Sequence, residues 1–189
     1  MSNDIWKIVC DIDMENSASV ERRASRIKLL LMDCDGVLTD GRLWLLEDGE
    51  QKSFNSKDGL GLALFHRAGL RSGIISGRNA QAVARRAGEL GVEFVRQGDE
   101  QKIRAFEEVL RSAGVNENEV AFVGDDLSDI PLMKRSEFAV AVADAVEETR
   151  SAAHYITLAK GGRGAVREVV ELILKSQGRW NDLVESYSK

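Results

Sequence analysis

The sequence predicts an α/β fold, a doubly wound parallel sheet, and three observations carry that expectation. Apolar runs of strand length recur at 27–32, 72–75, 92–95 and 120–123, each bounded by polar or glycine residues. Stretches of helical apolar spacing separate them, as in Ile103, Phe106, Val109 and Leu110. With 189 residues, 43% of them hydrophobic, the chain can bury one sizeable core.

The elements follow in order along the chain. The first 25 residues read as an extension with a helix near Ser17 to Ser25. Within it Cys10 to Met14 reads CDIDM, an acidic pair without the following Gly-Val and behind only a short apolar run. Ile27 to Met32 is a buried strand. Residues 41–54 form a hairpin, RLWLL and EQKSF, with its turn near Glu47 to Glu50, and a helix runs from about Asp58 to Ala68. Ser72 to Ile75 is the second strand. One helix and one strand, Val92 to Val95, lead to a helix opened by Lys102. Val120 to Val123 is the next strand and VAVADA another. Gly161, Gly162 and Gly164 then open the last long helix, where a tight turn is favoured over a subunit contact or an anion site. Beyond Gly178 the tail is weakly periodic and expected to fray.

Composition narrows the function classes. A net charge of −5 argues against a general nucleic-acid surface. Two cysteines, Cys10 and Cys34, make no disulfide framework and fit a reducing cytoplasm. No membrane-length apolar run is present, so no membrane partner is expected. His66 and His154 lie far from any metal-ligand spacing and read as structural.

Chemistry is carried by DCDGVLT at the carboxyl end of the first strand, where open α/β sheets place their sites. Strand alternation sends Asp33 and Asp35 to one side and Cys34 to the other. Two carboxylates that close are costly unless a cation or a shared proton relieves them. A hard divalent ion such as Mg²⁺ does so, leaving one carboxylate as ligand and nucleophile and the other to move protons. A solvated acidic turn is the bland reading. Partners elsewhere weigh against it. Ser76 ends the second strand, and its hydroxyl and the following amides, Gly77 first, suit a phosphate oxygen. Lys102 opens a helix, where lysine is ordinarily solvated. GDDLSD then brings Asp125, Asp126 and Asp129 after a further strand.

This ordered set resembles the haloacid dehalogenase superfamily, whose motifs read here as Asp33 to Thr39, Ser76 to Arg78, Lys102, and Gly124 to Asp129. The resemblance covers about residues 26–178 and implies a Rossmann-like phosphatase domain. It implies that Asp33 attacks phosphorus, that Asp35 serves as acid and then base, and that Ser76 and Lys102 hold the phosphoryl oxygens. It places Mg²⁺ on Asp33, the backbone carbonyl of Asp35, and Asp125. Either of Asp126 and Asp129 would meet the metal through water, fix Lys102, cap a helix, or be a surface charge.

Neither inter-motif gap can hold a cap domain, so a macromolecular substrate or a neighbouring subunit must close the site. The hairpin favours a neighbour, since an isolated two-stranded hairpin is marginal in water. Folding back onto its own sheet is the other outcome. KSFNSKDGLGL, VAVADA and GGRGAVREVVELIL look like the capless, tetrameric branch that dephosphorylates 3-deoxy-D-manno-octulosonate 8-phosphate for lipopolysaccharide. That likeness implies a homotetramer with shared active sites and a tail, 179–189, able to reach a neighbour. Arg78 suits the carboxylate of a sugar acid, and its position favours the eight-carbon substrate over a sialic-type nine-carbon acid 9-phosphate. Arg86 resembles a second arginine placed towards the sugar acid or a neighbouring site, against a solvated helix residue. A receiver-type signalling module shares the α/β class but places adjacent acidic residues, not a spaced pair, after its first strand. A catalytically quiet assembly partner is disfavoured because every catalytic position is filled.

Overall fold

A computed structural model describes residues 17–47, 49–98 and 101–187. Six parallel strands form the main sheet: β1 (Leu29–Met32), β4 (Arg71–Ser76), β5 (Phe94–Gln97), β6 (Val120–Gly124), β7 (Phe138–Ala141) and β8 (Tyr155–Ile156). Their spatial order is β5-β4-β1-β6-β7-β8. A separate antiparallel pair, β2 (Trp44–Leu46) and β3 (Gly49–Gln51), is the hairpin. It does not pair with the main sheet.

β1 is wholly buried, as its run of Leu and Met requires of a central parallel strand. The chain steps outward from β1 to β4 and β5, then returns across β1 to β6 and β7. Right-handed crossovers put the helices of these two excursions on opposite faces. α2 (Ser56–Arg67) accordingly packs with α3 (Gln81–Leu90) and with α7 (Ala165–Ser176), whereas α4 (Lys102–Ala113) packs with α5 (Ile130–Arg135). Phe65, Phe106, Phe122 and Phe138 are fully buried around the sheet.

Register positions the site. Met32 pairs with Ile74 on one side and Val123 on the other, so the residues that follow all three strands emerge together. The strand order reverses at this edge of β1, the crevice where open α/β sheets bind ligands.

The expected helix near the amino end is α1, residues 17–24, and its Val20 and Ala24 are buried in the core with the sheet. The CDIDM segment lies outside the described residues. β5 starts at Phe94, two residues later than expected, and β7 stops at Ala141, where Val142 turns its N–H to the Gly124 carbonyl at 3.2 Å. The tail is not frayed through 187: α8 (Trp180–Glu185) forms, with Arg167 and Lys175 over the Trp180 ring at 5.2 and 5.4 Å. Both histidines are structural. His66 Nε2 lies 2.7 Å from Ser72 Oγ, and His154 Nδ1 accepts the Ala139 N–H at 3.0 Å.

The Gly161 turn braces the Asp33 loop. A Cβ at Gly161 would lie 1.7 Å from the Gly36 carbonyl oxygen, and Gly162 N–H donates to the Val37 carbonyl at 2.8 Å. Asp58 completes the brace by accepting the N–H groups of Gly164 and Arg167 at 3.2 and 2.8 Å.

Candidate active site

Asp33 follows β1, donates its N–H to the Val123 carbonyl at 3.0 Å, and is buried. The next residues curl tightly: the N–H groups of Val37, Leu38 and Thr39 all donate to the Cys34 carbonyl, at 3.3, 3.0 and 3.0 Å. Gly36 permits this curl with φ of +90°, and a Cβ there would lie 1.9 Å from Asp125 Oδ2. The curl leaves Cys34 fully buried while Asp33 and Asp35 line one cavity; they share a side as expected, but through this turn after β1 and not through strand alternation, since β1 ends at Met32.

That cavity holds about 350 Å³ and is lined by Asp33, Asp35, Ser76, Gly77, Arg78, Lys102, Asp125, Asp126 and Ser128. A larger hollow of about 710 Å³ between α1 and β8 contains none of the motif residues. Lys102 overturns the expectation of a solvated helix residue. It is 6% exposed, with Nζ 3.0 Å from Asp33 Oδ2 and 2.8 Å from Asp129 Oδ1. Two carboxylates make its burial tolerable. Asp129 is wholly buried, and its Oδ2 accepts the N–H groups of Asp125 and Asp126 at 2.9 and 3.3 Å. Asp126 is exposed and caps Leu127 N–H at 2.6 Å. The pair therefore divides: Asp129 fixes Lys102, and Asp126 is a cap.

Ser76 ends β4, buried, with its Oγ accepting the Arg78 N–H at 3.4 Å. Arg78 is half-exposed, and its guanidinium is engaged by Glu50 and lies 3.9 Å from Asp35 Oδ2. Arg86 does not line this cavity. Its place on α3 turns it towards α2, against Gly59, into a separate hollow with Phe54 and Ser56, where it pairs with Glu89 at 3.2 Å.

Two residues escaped the sequence reading. Lys52 Nζ lies 2.5 Å from Asp35 Oδ1 and 3.2 Å from Glu50 Oε2. The period-two pattern of the hairpin puts Glu50 and Lys52 on one face and Gln51 on the other, a signal that points both at whatever lies beneath.

The donor set suits a divalent cation. Carboxylate oxygens of Asp33, Asp125 and Asp129 lie within 4.8 Å of one another, and Asp125 Oδ1 is buried without a hydrogen-bond partner. Asp129 is wholly buried behind Lys102 and the backbone N–H groups it accepts, whereas Asp33 and Asp125 line the cavity. Burial, and then the Asp129 carboxylate, push Asp33 from an ordinary 3.8 up to about 6 against the pull of Lys102. Burial, then Asp129, Asp33 and Asp126, push Asp125 up to about 8. Burial works to lower Lys102, but Asp129 and Asp33 outweigh it and hold the ammonium above its usual value.

These shifts set a pH dependence. Folded-state values above those of the unfolded chain mean that the fold favours the protonated acids. The stability they contribute is full below about pH 4 and is lost as pH rises through about 6 for Asp33 and about 8 for Asp125. The melting temperature of metal-free protein should therefore fall between pH 5 and 8, and added Mg²⁺ should raise it more at pH 8 than at pH 5. A metal-free melting temperature that climbs across that range would contradict the crowded-carboxylate account.

A buried carboxylate beside an ammonium, a second carboxylate across the cavity, and a gap for a hard cation are what phosphoryl transfer through a covalent intermediate needs. Comparison with known proteins agrees. A family model for haloacid dehalogenase-like hydrolases matches residues 86–169. The 3-deoxy-D-manno-octulosonate 8-phosphate phosphatase of Escherichia coli is 41% identical over 167 residues, 88% of this chain and 89% of its own. A probable yrbi family phosphatase from Pseudomonas syringae superposes with a TM-score of 0.88 at 43% identity, covering 91% of this chain and 98% of that one. The Moraxella catarrhalis 3-deoxy-D-manno-octulosonate 8-phosphate phosphatase, solved with magnesium, phosphate and KDO, has a TM-score of 0.86 at 38% identity, covering 89% and 97%. With such identity sustained over most of both chains, this chain belongs to the 3-deoxy-D-manno-octulosonate 8-phosphate phosphatases, a branch of the haloacid dehalogenase-like hydrolases.

Proposed function

We propose that this chain is a Mg²⁺-dependent phosphatase that hydrolyses 3-deoxy-D-manno-octulosonate 8-phosphate to the free sugar acid and phosphate, in lipopolysaccharide precursor synthesis. The observation that carries the reading is Lys102, buried between Asp33 and Asp129 on the wall of the cavity that also holds Asp35 and Asp125. Asp33 attacks phosphorus, and the bond to the sugar oxygen breaks as Asp35 gives that oxygen a proton. Asp35 then takes a proton from water, whose oxygen displaces the Asp33 carboxylate from phosphorus. Ser76 and Lys102 hold the phosphoryl oxygens, with the Gly77 amide beside them. Asp33, the Asp35 carbonyl and Asp125 would hold Mg²⁺, which when bound screens phosphate charge from the carboxylates. Residues 26–178 form the domain that does this chemistry.

Arg78 receives the substrate carboxylate, and Glu50, which grips Arg78 in this structure, must yield to it. The test is Mg²⁺-dependent phosphate release from a panel of sugar phosphates. Strong preference for the eight-carbon acid phosphate over a sialic-type 9-phosphate is expected. Equal or reversed preference discards the substrate while leaving the phosphatase chemistry.

The working unit is a cytoplasmic homotetramer. The hairpin exposes Leu43, Trp44, Leu45 and Leu46, with Leu45 73% exposed, apolar side chains on both faces of the ribbon that further copies would cover. Leu45→Glu should reduce the assembled mass measured by light scattering. An unchanged mass would move the interface elsewhere.

A further inference from the structure

The hairpin brings against Asp35, on the cavity wall, a cation that belongs to none of the four motifs. The Lys52 side chain is 1% exposed although the residue directly follows β3, a short and largely exposed strand. Burying an ammonium so fully requires close partners, and it has two: Asp35 Oδ1 at 2.5 Å and Glu50 Oε2 at 3.2 Å. The other Asp35 oxygen, Oδ2, is buried and has no hydrogen-bond partner, and Arg78 Nε lies 3.9 Å from it. Thr39 Oγ1, 3.4 Å away, also addresses Oδ1 rather than Oδ2. One oxygen of Asp35 is thus tied from two sides, and the other is left open beside the residue expected to receive the substrate carboxylate.

We propose that Lys52 is a positioning residue for the proton transfers: by holding Asp35 Oδ1, it fixes Oδ2 as the oxygen that exchanges protons with the leaving sugar oxygen and with water. This inference rests on the acid and base role assigned to Asp35 above. In the first half-reaction the Asp33–phosphorus bond forms, the phosphorus–sugar oxygen bond breaks, and the proton on Oδ2 passes to that oxygen. In the second, Oδ2 takes a proton from water as its oxygen bonds phosphorus and Asp33 leaves. Glu50 balances the charge of Lys52 and gives its ammonium a second partner. A carboxylate free to rotate would present either oxygen, and misplacement of a reacting group carries a large rate cost.

The test separates positioning from scaffolding by the leaving group. An alkoxide must be protonated as it departs, whereas p-nitrophenolate departs without help. Aspartyl-phosphate formation is measured by rapid quench in single turnovers with two substrates, the sugar-acid 8-phosphate and p-nitrophenyl phosphate. Wild type, Lys52→Met, Lys52→Arg and Asp35→Asn are compared. Lys52→Met should slow the step about 10- to 100-fold with the sugar phosphate, part of what a general acid supplies, and less than about threefold with the aryl ester. Lys52→Arg should recover most of the loss. Equal losses on both substrates, or none on either, would overturn the proposal, because a merely structural lysine does not discriminate leaving groups. If Asp35→Asn itself shows no such discrimination, the acid role falls and the proposal with it. If wild type rejects the eight-carbon substrate, only the substrate assignment falls, and the same comparison on whichever alkyl phosphate it hydrolyses decides the role of Lys52.

Discussion

Asp33→Asn should fold, bind Mg²⁺ more weakly, and lose turnover by roughly four orders of magnitude or more, the scale on which removal of a covalent nucleophile shows. An amide oxygen in place of the carboxylate does not attack phosphorus. The fold should survive because burial and then the Asp129 carboxylate already disfavour the charge here and push Asp33 up to about 6. Removing one negative charge there relieves repulsion with Asp129, and Lys102 keeps its shorter contact, 2.8 Å, to Asp129. The melting temperature of the metal-free variant should stay within a few degrees of wild type. Turnover near normal would remove Asp33 from the mechanism, whereas a collapsed melting temperature would recast it as a structural acid.

Asp129→Ala should damage both stability and rate. Its carboxylate is wholly buried and serves Lys102 through one oxygen and the Asp125 and Asp126 N–H groups through the other. Breaking a buried pair by deleting one partner costs about 3–5 kcal/mol. In a domain of this size that corresponds to a fall in melting temperature of about 10 °C. The rate should fall by about a hundredfold or more, because Lys102 loses the contact that aims it at the phosphoryl oxygens. Asp129→Asn keeps an acceptor for one of the two duties and should lie between the extremes in a thermal melt. An unchanged melt for the alanine variant would show that the 124–129 turn is held by other means.

The sheet and the four motifs were legible because each depends on a local pattern: an apolar run, a polar residue at its end, a turn. Asp33, Asp35, Ser76, Lys102 and Asp125 do share one cavity. What sequence left open depends on distance and direction. The burial of Lys102 follows from Asp129, 27 residues away along the chain, and no local propensity reports such a partner. Lys52 and Glu50 act through a hairpin whose fold-over angle is set by tertiary contact. Arg86 sits on a face of α3 turned towards α2 and away from this cavity, and its other expected placement, a neighbouring site, depends on a second copy that no local pattern describes. β8 is only two residues long, too short for any periodicity to reveal. α8 forms because Trp180 finds Arg167 and Lys175, again a matter of packing.

The brace between the Gly161 turn and Gly36 also bears on how the protein matures as it is made. The loop that carries both reactive carboxylates leaves the ribosome early, but its backing arrives with residues 161 and 162, more than 120 positions later in the 189-residue chain. β6, the neighbour that receives the Asp33 N–H, also emerges about 90 residues after β1. A nascent chain therefore presents the acidic loop without its scaffold through most of synthesis, since such long-range contacts form only when both ends are available. Incomplete copies therefore carry the nucleophile without the backing that sets its loop.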